Sequence, residues 1–291
     1  MNNLRGIALI ILSMAAFATE DMFVKALTTG LSVGQVMFML GLGGALCFAA
    51  AALYQSQALF TPLLRSPMLL LRTVSEGFAA FFFVTALSNT DMSTVAALFQ
   101  ATPLAITLGA ALFLSEKVGW RRWAAILVGF AGVLVIIRPG LEGFQPSTLL
   151  VLGTVAAIAT RDLVSRRLPR DMSSVVVSFH GFGALVIVGA ALILLGPAAP
   201  QGLNAAQSGQ VLGAVVFGVL GYYAIVIATR TGDASVITPF RYTRLIFSML
   251  LGMVVFAERP DLWTYVGSGL IIGSGLYAVL RERRLSARSR R

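Results

Sequence analysis

Charged side chains are scarce in this sequence. Aspartate, glutamate, lysine and arginine together make up 12% of its 291 residues, whereas a soluble domain gives about a quarter of its residues to charge. Hydrophobic residues make up 57%, and the mean hydropathy is +0.87. The composition therefore excludes an ordinary soluble domain and indicates a chain whose solvent is lipid.

Cysteine and histidine each occur once, as Cys47 and His180. A single cysteine excludes an intramolecular disulfide and any multi-cysteine metal site, and a single histidine excludes a histidine cluster. The sequence contains no HExxH motif, no aspartyl-protease pair, no Ser-His constellation and no phosphate-binding loop. We therefore expect no enzyme, no cofactor and no resident metal.

Long apolar runs fill the chain from end to end. Each is close to the roughly 20 residues that span a hydrocarbon core of about 30 Å as a helix. Alternating ten-residue segments typical of membrane β-barrels are absent from the sequence. We predict an all-α membrane protein with ten transmembrane helices, spans 1 to 10. They cover residues 4–27, 32–54, 68–88, 93–114, 120–137, 148–168, 172–195, 208–229, 235–256 and 262–280.

The net charge of +10 has a topological explanation. If both termini are cytoplasmic, sixteen basic residues lie on the cytoplasmic side and three on the other, which is the asymmetry that orients membrane proteins. We therefore expect a multi-pass protein of the inner membrane with both termini cytoplasmic, membrane lipid around it and no nucleic-acid partner. The sixteen are Arg5, Arg65, Arg72, Lys117, Arg121, Arg122, Arg166, Arg167, Arg170, Arg230, Arg281, Arg283, Arg284, Arg288, Arg290 and Arg291; the three are Lys25, Arg138 and Arg259.

An internal repeat divides the chain into two halves. The string "AAFATEDMFVKAL" at 15–27 returns as "AAIATRDLVSRRL" at 156–168, an offset of 141, and later positions match at an offset of 142. We predict a first five-helix repeat at 1–140, a second at 141–281 and a basic tail at 282–291. Because five is odd, the second repeat enters the membrane from the opposite side, as the inverted repeats of secondary transporters do around a central cavity.

Two stretches carry a family resemblance. "MSTVAALFQATPLAITLGAALFLSEKVGWRRWAAILVGFAGVLVI" and "SVITPFRYTRLIFSMLLGMVVFAERPDLWTYVGSGLIIGSGLYAVLRERR" resemble the two repeats of the EamA-like branch of the drug/metabolite transporter superfamily, and the chain is similar to bacterial YddG-type amino-acid exporters. Phe17 and Ala18 stand where that family often has Trp-Gly. The resemblance implies ten helices, cytoplasmic termini, a cavity lined by spans 1, 3, 4, 6, 8 and 9, and transport of small metabolites.

Ionisable residues inside spans need a partner, water or a function. They are concentrated in the six spans that the resemblance places around the cavity: Glu20, Asp21, Glu76, Arg161, Asp162, Arg241 and Arg244. Two interpretations stay open for Glu20 and Arg161. Either they are symmetry-related rims of the cavity, dispensable for folding and not paired with each other, or buried ion pairs hold the helices, for instance Arg161 or Arg244 with Asp162 or Glu76.

Several side chains are candidates for substrate binding. Arg244 can hold a substrate carboxylate through its planar guanidinium, and aromatic walls with Gln100 suit solutes with apolar side chains. The candidate cavity residues are Phe17, Glu20, Glu76, Phe78, Phe82, Gln100, Arg161, Tyr222, Tyr242 and Arg244.

Prolines and glutamates near span ends suggest structural roles. Pro103 and Pro239 remove backbone hydrogen bonds within spans, so we expect kinks there. Glu116 and Glu258 close spans 4 and 9 at equivalent positions, where binding to the N-terminal amides of a neighbouring helix is expected.

The sequence thus predicts a secondary transporter working by alternating access. The substrates expected are amino acids, including aromatic or other apolar ones, or similar small metabolites, with export as the expected direction. An exporter of organic cations or drugs, or a channel-like facilitator of small solutes, are the alternatives. The sequence does not indicate an oligomeric state.

Overall fold

Ten long apolar helices build the protein, as predicted. The computed structural model describes residues 3–60, 66–116, 119–141, 143–165, 167, 173–231 and 234–289, and ten helical segments in it are long and apolar enough to cross a membrane. Spans 1 to 3 are Asn3–Thr28, Val33–Tyr54 and Pro67–Asn89; span 4 is Met92–Phe99 followed by Thr102–Phe113; span 5 is Trp120–Ile137; spans 6 to 8 are Thr148–Ser165, Ser174–Leu195 and Ala205–Thr231; span 9 is Thr238–Tyr242 followed by Thr243–Phe256; span 10 is Leu262–Ser289.

Some residues used in the sequence argument fall outside this description. They are Arg65, Lys117, Arg166, Arg170, Arg290 and Arg291. The last helix continues through Ser289, so most of the segment predicted as a basic tail prolongs span 10. Because the number of spans is even, both ends of the chain lie on one side of the bundle, here called the terminal side; the opposite side is the far side.

Helix starts in the two halves use the same side chain. Ser32 caps span 2, where its hydroxyl accepts a hydrogen bond from the N–H of Gln35 at 3.3 Å. Ser173, 141 residues later, caps span 7 and accepts from the N–H of Val175 at 3.2 Å. A serine hydroxyl satisfies an N–H that the first turn of a helix leaves without a partner. The two repeats therefore share the serine N-cap of their second helix.

Spans 4 and 9 are both interrupted. Span 4 breaks at Gln100 and Ala101, just before Pro103, whose missing N–H leaves the Phe99 carbonyl without its helical donor. The Thr102 hydroxyl donates to that carbonyl at 2.6 Å instead. Span 9 opens with a 3₁₀ helix, Thr238–Tyr242, which contains Pro239, before the α-helix resumes. The prolines therefore stand at irregular segments, although Pro103 and Pro239 are not equivalent positions in the repeat.

Packing between the halves follows a pseudo-two-fold pattern. The most extensive contacts join span 2 to span 7, span 1 to span 8 and span 3 to span 6, and the last two pairs exchange when the halves exchange. Span 1 on span 9 corresponds in the same way to span 6 on span 4, while spans 2 and 7, spans 5 and 10, and spans 4 and 9 meet their own equivalents. This pattern, with five spans in each half, supports an inverted repeat.

Glycines permit the closest of these approaches. A Cβ on Gly132 of span 5 would fall 2.7 Å from the Gly267 carbonyl oxygen of span 10, and one on Gly267 would fall 2.6 Å from the Gly132 carbonyl oxygen. Small residues let transmembrane backbones approach in this way. Spans 5 and 10 therefore pack backbone to backbone, beside the bundle of the other eight spans.

Candidate substrate site

An ion pair joins the two halves near the middle of the bundle. Arg244 of span 9 donates from Nη2 to Asp21 Oδ1 at 2.9 Å and Oδ2 at 2.8 Å, and from Nε to Oδ2 at 3.2 Å. Asp21 lies on span 1 and is buried. A guanidinium that engages both oxygens of a carboxylate forms one of the strongest polar contacts in proteins. Arg244 thus pairs with Asp21, and not with the partners Asp162 or Glu76 that the sequence suggests.

Three phenyl rings surround this ion pair. The guanidinium carbon of Arg244 lies 4.8 Å from the ring centroid of Phe99, 5.4 Å from that of Phe17 and 5.8 Å from that of Phe83. The faces of aromatic rings attract cations within about 6 Å. The rings come from spans 4, 1 and 3, so three spans converge on the Arg244 side chain of a fourth.

A narrow recess opens beside the pair. About 200 Å³ of space, part of it open to the outside, lies between its lining atoms, and it is too narrow to admit a water molecule. Its wall is the Asp21–Arg244 pair together with apolar side chains. The lining residues are Asp21, Phe83, Leu87, Met92, Val95, Ala96, Phe99 and Arg244. Of the predicted cavity residues, only Arg244 lines this recess.

Glu20 stands beside the pair without joining it. Its carboxylate is half-buried and packs against Gly218 of span 8. Within the part of the chain that the structure describes, it makes no hydrogen bond or ion pair, although the charges of Asp21 and Arg244 act on it. Ser13, two turns earlier on span 1, holds span 8 by donating to the Gly221 carbonyl at 2.7 Å. Span 1 therefore presents Glu20 to the span 8 backbone.

A second charged cluster lies toward the terminal side. Arg161 of span 6 donates from Nη1 to Glu76 of span 3 at 2.7 Å and from Nε to Asp162 at 2.8 Å. Arg72 lies 3.5 Å from Glu76 and donates from Nε to the Ser165 hydroxyl at 3.1 Å. Each charge in this cluster has a partner of opposite sign. The contacts are those of the ion-pair interpretation of Arg161, and Glu20 and Arg161 form no pair with each other.

A third cluster lies toward the far side. The Glu258 carboxylate accepts hydrogen bonds from the N–H of Met92 at 2.6 Å, the N–H of Ser93 at 3.0 Å and the Ser93 hydroxyl. Lys25 of span 1 lies 3.3 Å from Glu258 and donates to the Thr90 carbonyl at 2.6 Å. A carboxylate at the start of a helix satisfies its free amides and its dipole. Glu258 thereby connects the end of span 9 to the start of span 4.

The equivalent turns share their backbone conformation. Ser115 and Ala257 both have left-handed φ values, 54° and 53°. The residues that follow them, Glu116 and Glu258, donate their N–H to the Ala110 and Gly252 carbonyls at 3.3 and 3.1 Å. The glutamates thus occupy matching positions in the two halves.

Three predicted aromatic residues lie away from the recess. Phe78 is 55% exposed and stacks on Phe82 at 6.2 Å between ring centroids, and Phe82 packs against Gly153 of span 6. The Tyr222 hydroxyl accepts a hydrogen bond from Ser178 of span 7 at 2.6 Å. Phe82 and Tyr222 thus contact neighbouring spans, and none of the three side chains lines the recess.

Gln100 and Tyr242 share an unusual state. Each is more than nine-tenths buried, and Gln100 Nε2 and the Tyr242 hydroxyl have no hydrogen-bond partner within the described residues. They are 142 residues apart and therefore equivalent in the repeat; each adjoins an irregular segment of span 4 or span 9. The Tyr242 hydroxyl is pressed against Gly275 of span 10, so Tyr242 does not face the recess.

The sequence did not predict the partners of Arg244. It names Asp21 as an intramembrane charge but does not join it to Arg244, and it does not identify Phe83 and Phe99 as neighbours of that arginine. Only the spacing of Phe99 with Met92, Val95 and Ala96, one helix face, signals that these four line the same space. The pairing of distant spans has no local signal of this kind.

Comparison with known proteins identifies the family. The EamA-like transporter family matches twice, at residues 4–138 and 145–280. An S-adenosylmethionine uptake transporter of Rickettsia felis is 25% identical, with the match covering 98% of this chain and 96% of that protein. A riboflavin transporter of Vibrio cholerae is 32% identical over 67% of this chain and 64% of that protein.

A solved crystal structure shows the same fold. It matches with a TM-score of 0.64 and 21% sequence identity over 98% of this chain and 99% of that one. Both repeats of the family are thus present, in a bundle of ten helices. The chain belongs to the EamA-like transporter family of the drug/metabolite transporter superfamily, and it is a secondary transporter of small metabolites and not an enzyme.

Proposed function

We propose that this transporter carries small metabolites that bear an α-amino-acid group. The observation that carries the proposal is the Asp21–Arg244 ion pair, set within three phenyl rings at the edge of a recess. An α-amino acid presents a carboxylate and an ammonium group a few ångströms apart. The ion pair presents the complementary charges in a water-poor surrounding, where such contacts are strongest.

Substrate entry replaces one ion pair by two. The substrate carboxylate accepts hydrogen bonds from the N–H groups of the planar Arg244 guanidinium, and the substrate ammonium group donates hydrogen bonds to the Asp21 carboxylate. Phe17, Phe83 and Phe99 then contact the apolar part of the substrate. Because no charge is left unpaired during this exchange, the cost of opening the buried pair is offset by the contacts that the substrate forms.

The relatives support this substrate class to different degrees. S-adenosylmethionine, named for the Rickettsia relative, contains an α-amino-acid group, as do the amino acids expected from the sequence. Riboflavin, named for the Vibrio relative, lacks one but has a flat aromatic ring system that phenyl rings can bind. The Asp21–Arg244 ion pair favours solutes with an α-amino-acid group over riboflavin.

Movement of the two halves supplies the transport step. We infer that 1–140 and 141–281 exchange conformations, with cytoplasmic termini and the cavity opening to each side in turn. Export, expected from the resemblance, is then set by the substrate gradient and not by the fold. The principal contacts between the halves support such an exchange, since each of them has a counterpart or is its own counterpart.

Counterflow in proteoliposomes tests the proposal. Vesicles loaded with one unlabelled solute receive the labelled form outside, in a panel of S-adenosylmethionine, aromatic amino acids, riboflavin and a quaternary organic cation. Saturable counterflow of solutes with an α-amino-acid group is the expected result. Counterflow of riboflavin or the organic cation alone would overturn the substrate class, and unitary currents would establish a channel.

Arg244→Lys tests the recognition itself. Lysine keeps the charge but loses the planar fork, so we expect the apparent affinity for amino acids to fall about tenfold or more, with little change for their carboxamide analogues, which lack the carboxylate. Arg241→Lys is the matched control, because Arg241 lies one turn earlier on span 9 and is exposed. Equal losses for both kinds of solute, or an equal effect of Arg241→Lys, would remove Arg244 from the binding site.

A further inference from the structure

We propose that the transported metabolite carries one net positive charge and that Glu20 binds its second cationic group, an ammonium or sulfonium centre. This inference rests on the proposed recognition of an α-amino-acid group by Asp21 and Arg244. It adds a third point of contact and restricts the substrate to amino acids that carry an additional cation.

The surroundings of Glu20 leave its carboxylate available. The side chain is half-buried on span 1, one turn beyond Phe17, which packs against the Arg244 guanidinium. Opposite it on span 8 stands Gly218, which has no side chain to pair with the carboxylate. Within the described residues, no group donates a hydrogen bond to it, which is unusual for a carboxylate inside a span.

The inverted repeat provides an internal comparison. Glu20 corresponds to Arg161 at the offset of 141, and Gly218 corresponds to Glu76 at the offset of 142. In the second half, Arg161 and Glu76 form an ion pair at 2.7 Å. In the first half, the same place holds Glu20 and a glycine. The fold therefore brings positions 20 and 218 together, and the sequence omits a cation there.

Glycine at 218 lets the Glu20 carboxylate approach the backbone of span 8. A Cβ at this position would lie 2.7 Å from Glu20 Oε1 and 3.2 Å from Oε2. Any larger residue would force the carboxylate to move, so Gly218 permits the observed place of Glu20 against the helix backbone. The symmetry-related glutamate fills the equivalent space with its own side chain.

The site holds two carboxyl groups and one cation. Asp21 and Arg244 are the charged groups that act on Glu20, so ionisation of Glu20 leaves one negative charge there without a partner. The closest lysine along span 1, Lys25, is paired with Glu258. A zwitterionic amino acid is neutral and leaves the imbalance unchanged. A substrate with one further cation neutralises it, so charge complementarity favours that substrate.

Two closely matched solutes test this inference. S-adenosylmethionine carries a sulfonium charge, and S-adenosylhomocysteine is the same molecule without the methyl group and that charge. In counterflow, we expect wild-type protein to prefer the first by about tenfold, as for loss of one charge-assisted contact. Glu20→Gln should abolish the preference, and Glu20→Asp should retain part of it. Thr19→Val is the control, since it alters a neighbouring polar side chain without changing charge.

The outcomes separate this inference from the proposal beneath it. Equal transport of both solutes by wild-type protein, or an unchanged preference in a folded Glu20→Gln, would overturn the role of Glu20 and leave the amino-acid site standing. Transport of neither solute would overturn this inference, and transport of no amino acid in the wider panel would overturn the proposed function itself. Transport of the homocysteine form coupled to proton movement would assign the balancing charge to a proton and overturn the substrate cation. Even if Glu20→Gln does not fold, comparing the transport of the two solutes by wild-type protein tests whether the substrate must carry the additional cation.

Discussion

At the scale of single residues, Arg161 is the centre of an ion-pair cluster. Arg161 serves two carboxylates, Glu76 and Asp162, whereas Arg72 contributes a second, longer contact to Glu76 at 3.5 Å. Removing a partly buried cation therefore strands negative charge inside the bundle. The interpretation of Arg161 as a dispensable rim of the cavity does not take this into account.

We accordingly expect Arg161→Met to lower stability. Exposed pairs contribute up to about 1 kcal/mol and breaking fully buried pairs costs about 3 to 5 kcal/mol, so about 2 kcal/mol is expected for this intermediate site. Thermal unfolding in detergent measures the loss. Adding Glu76→Gln to Arg161→Met should restore part of the lost stability, because one carboxylate without a partner is removed. If Arg161→Met alone were as stable as wild type, the rim interpretation would be restored.

At the scale of helices, the start of span 10 illustrates a local cap. Asp261 accepts hydrogen bonds from the N–H of Thr264 at 2.8 Å and from its hydroxyl at 2.7 Å, and it pairs with Arg138 at 2.6 Å. Partial burial acts to raise the pKa of Asp261, but the Thr264 hydrogen bonds and the Arg138 charge outweigh it and hold the pKa below the ordinary value of 3.8. The cap therefore links span 10 to the end of span 5.

A pH dependence follows from this cap. A carboxyl group whose pKa is lowered by folding stabilises the protein at any pH above the pKa that the group has in the unfolded chain. That contribution disappears as the pH falls through the pKa that the group has in the folded protein. We expect Asp261→Asn to lower the melting temperature at pH 7 and to lose this effect as the pH falls through the lowered pKa of Asp261. Thr264→Ala, with the charge kept, should show a smaller loss at pH 7. A difference between wild type and Asp261→Asn that grew toward acid would contradict the assignment.

Helices were predictable to a degree that their contacts were not. Span 1 was predicted at 4–27 and lies at Asn3–Thr28, since an apolar run of this length is explicit in the sequence. Pro103 indicated the break in span 4, although not that it falls at Gln100 and Ala101. The Asp21–Arg244 pair joins residues 223 positions apart, and no periodicity along one helix reports such a contact.

At the scale of the whole molecule, the charge bias predicts orientation. We expect both termini in the cytoplasm, because sixteen basic residues then face inward and three outward. Alkaline phosphatase fused after Arg291 should be inactive and a cytoplasmic fluorescent reporter bright, with a phosphatase fusion at the link between spans 5 and 6 as the active control. An active C-terminal phosphatase would contradict both the orientation and the even number of spans.

The cross-half packing described above bears on how such a chain arises and assembles. Each half finds its principal helix partners in the other half, so five spans alone leave their packing faces to lipid. A single half is in this sense one subunit of a dimer whose two copies lie antiparallel, and the connection near residues 139–144 fuses them. Expressed as two separate polypeptides in one cell, the halves should assemble and restore transport, whereas either expressed alone should be degraded.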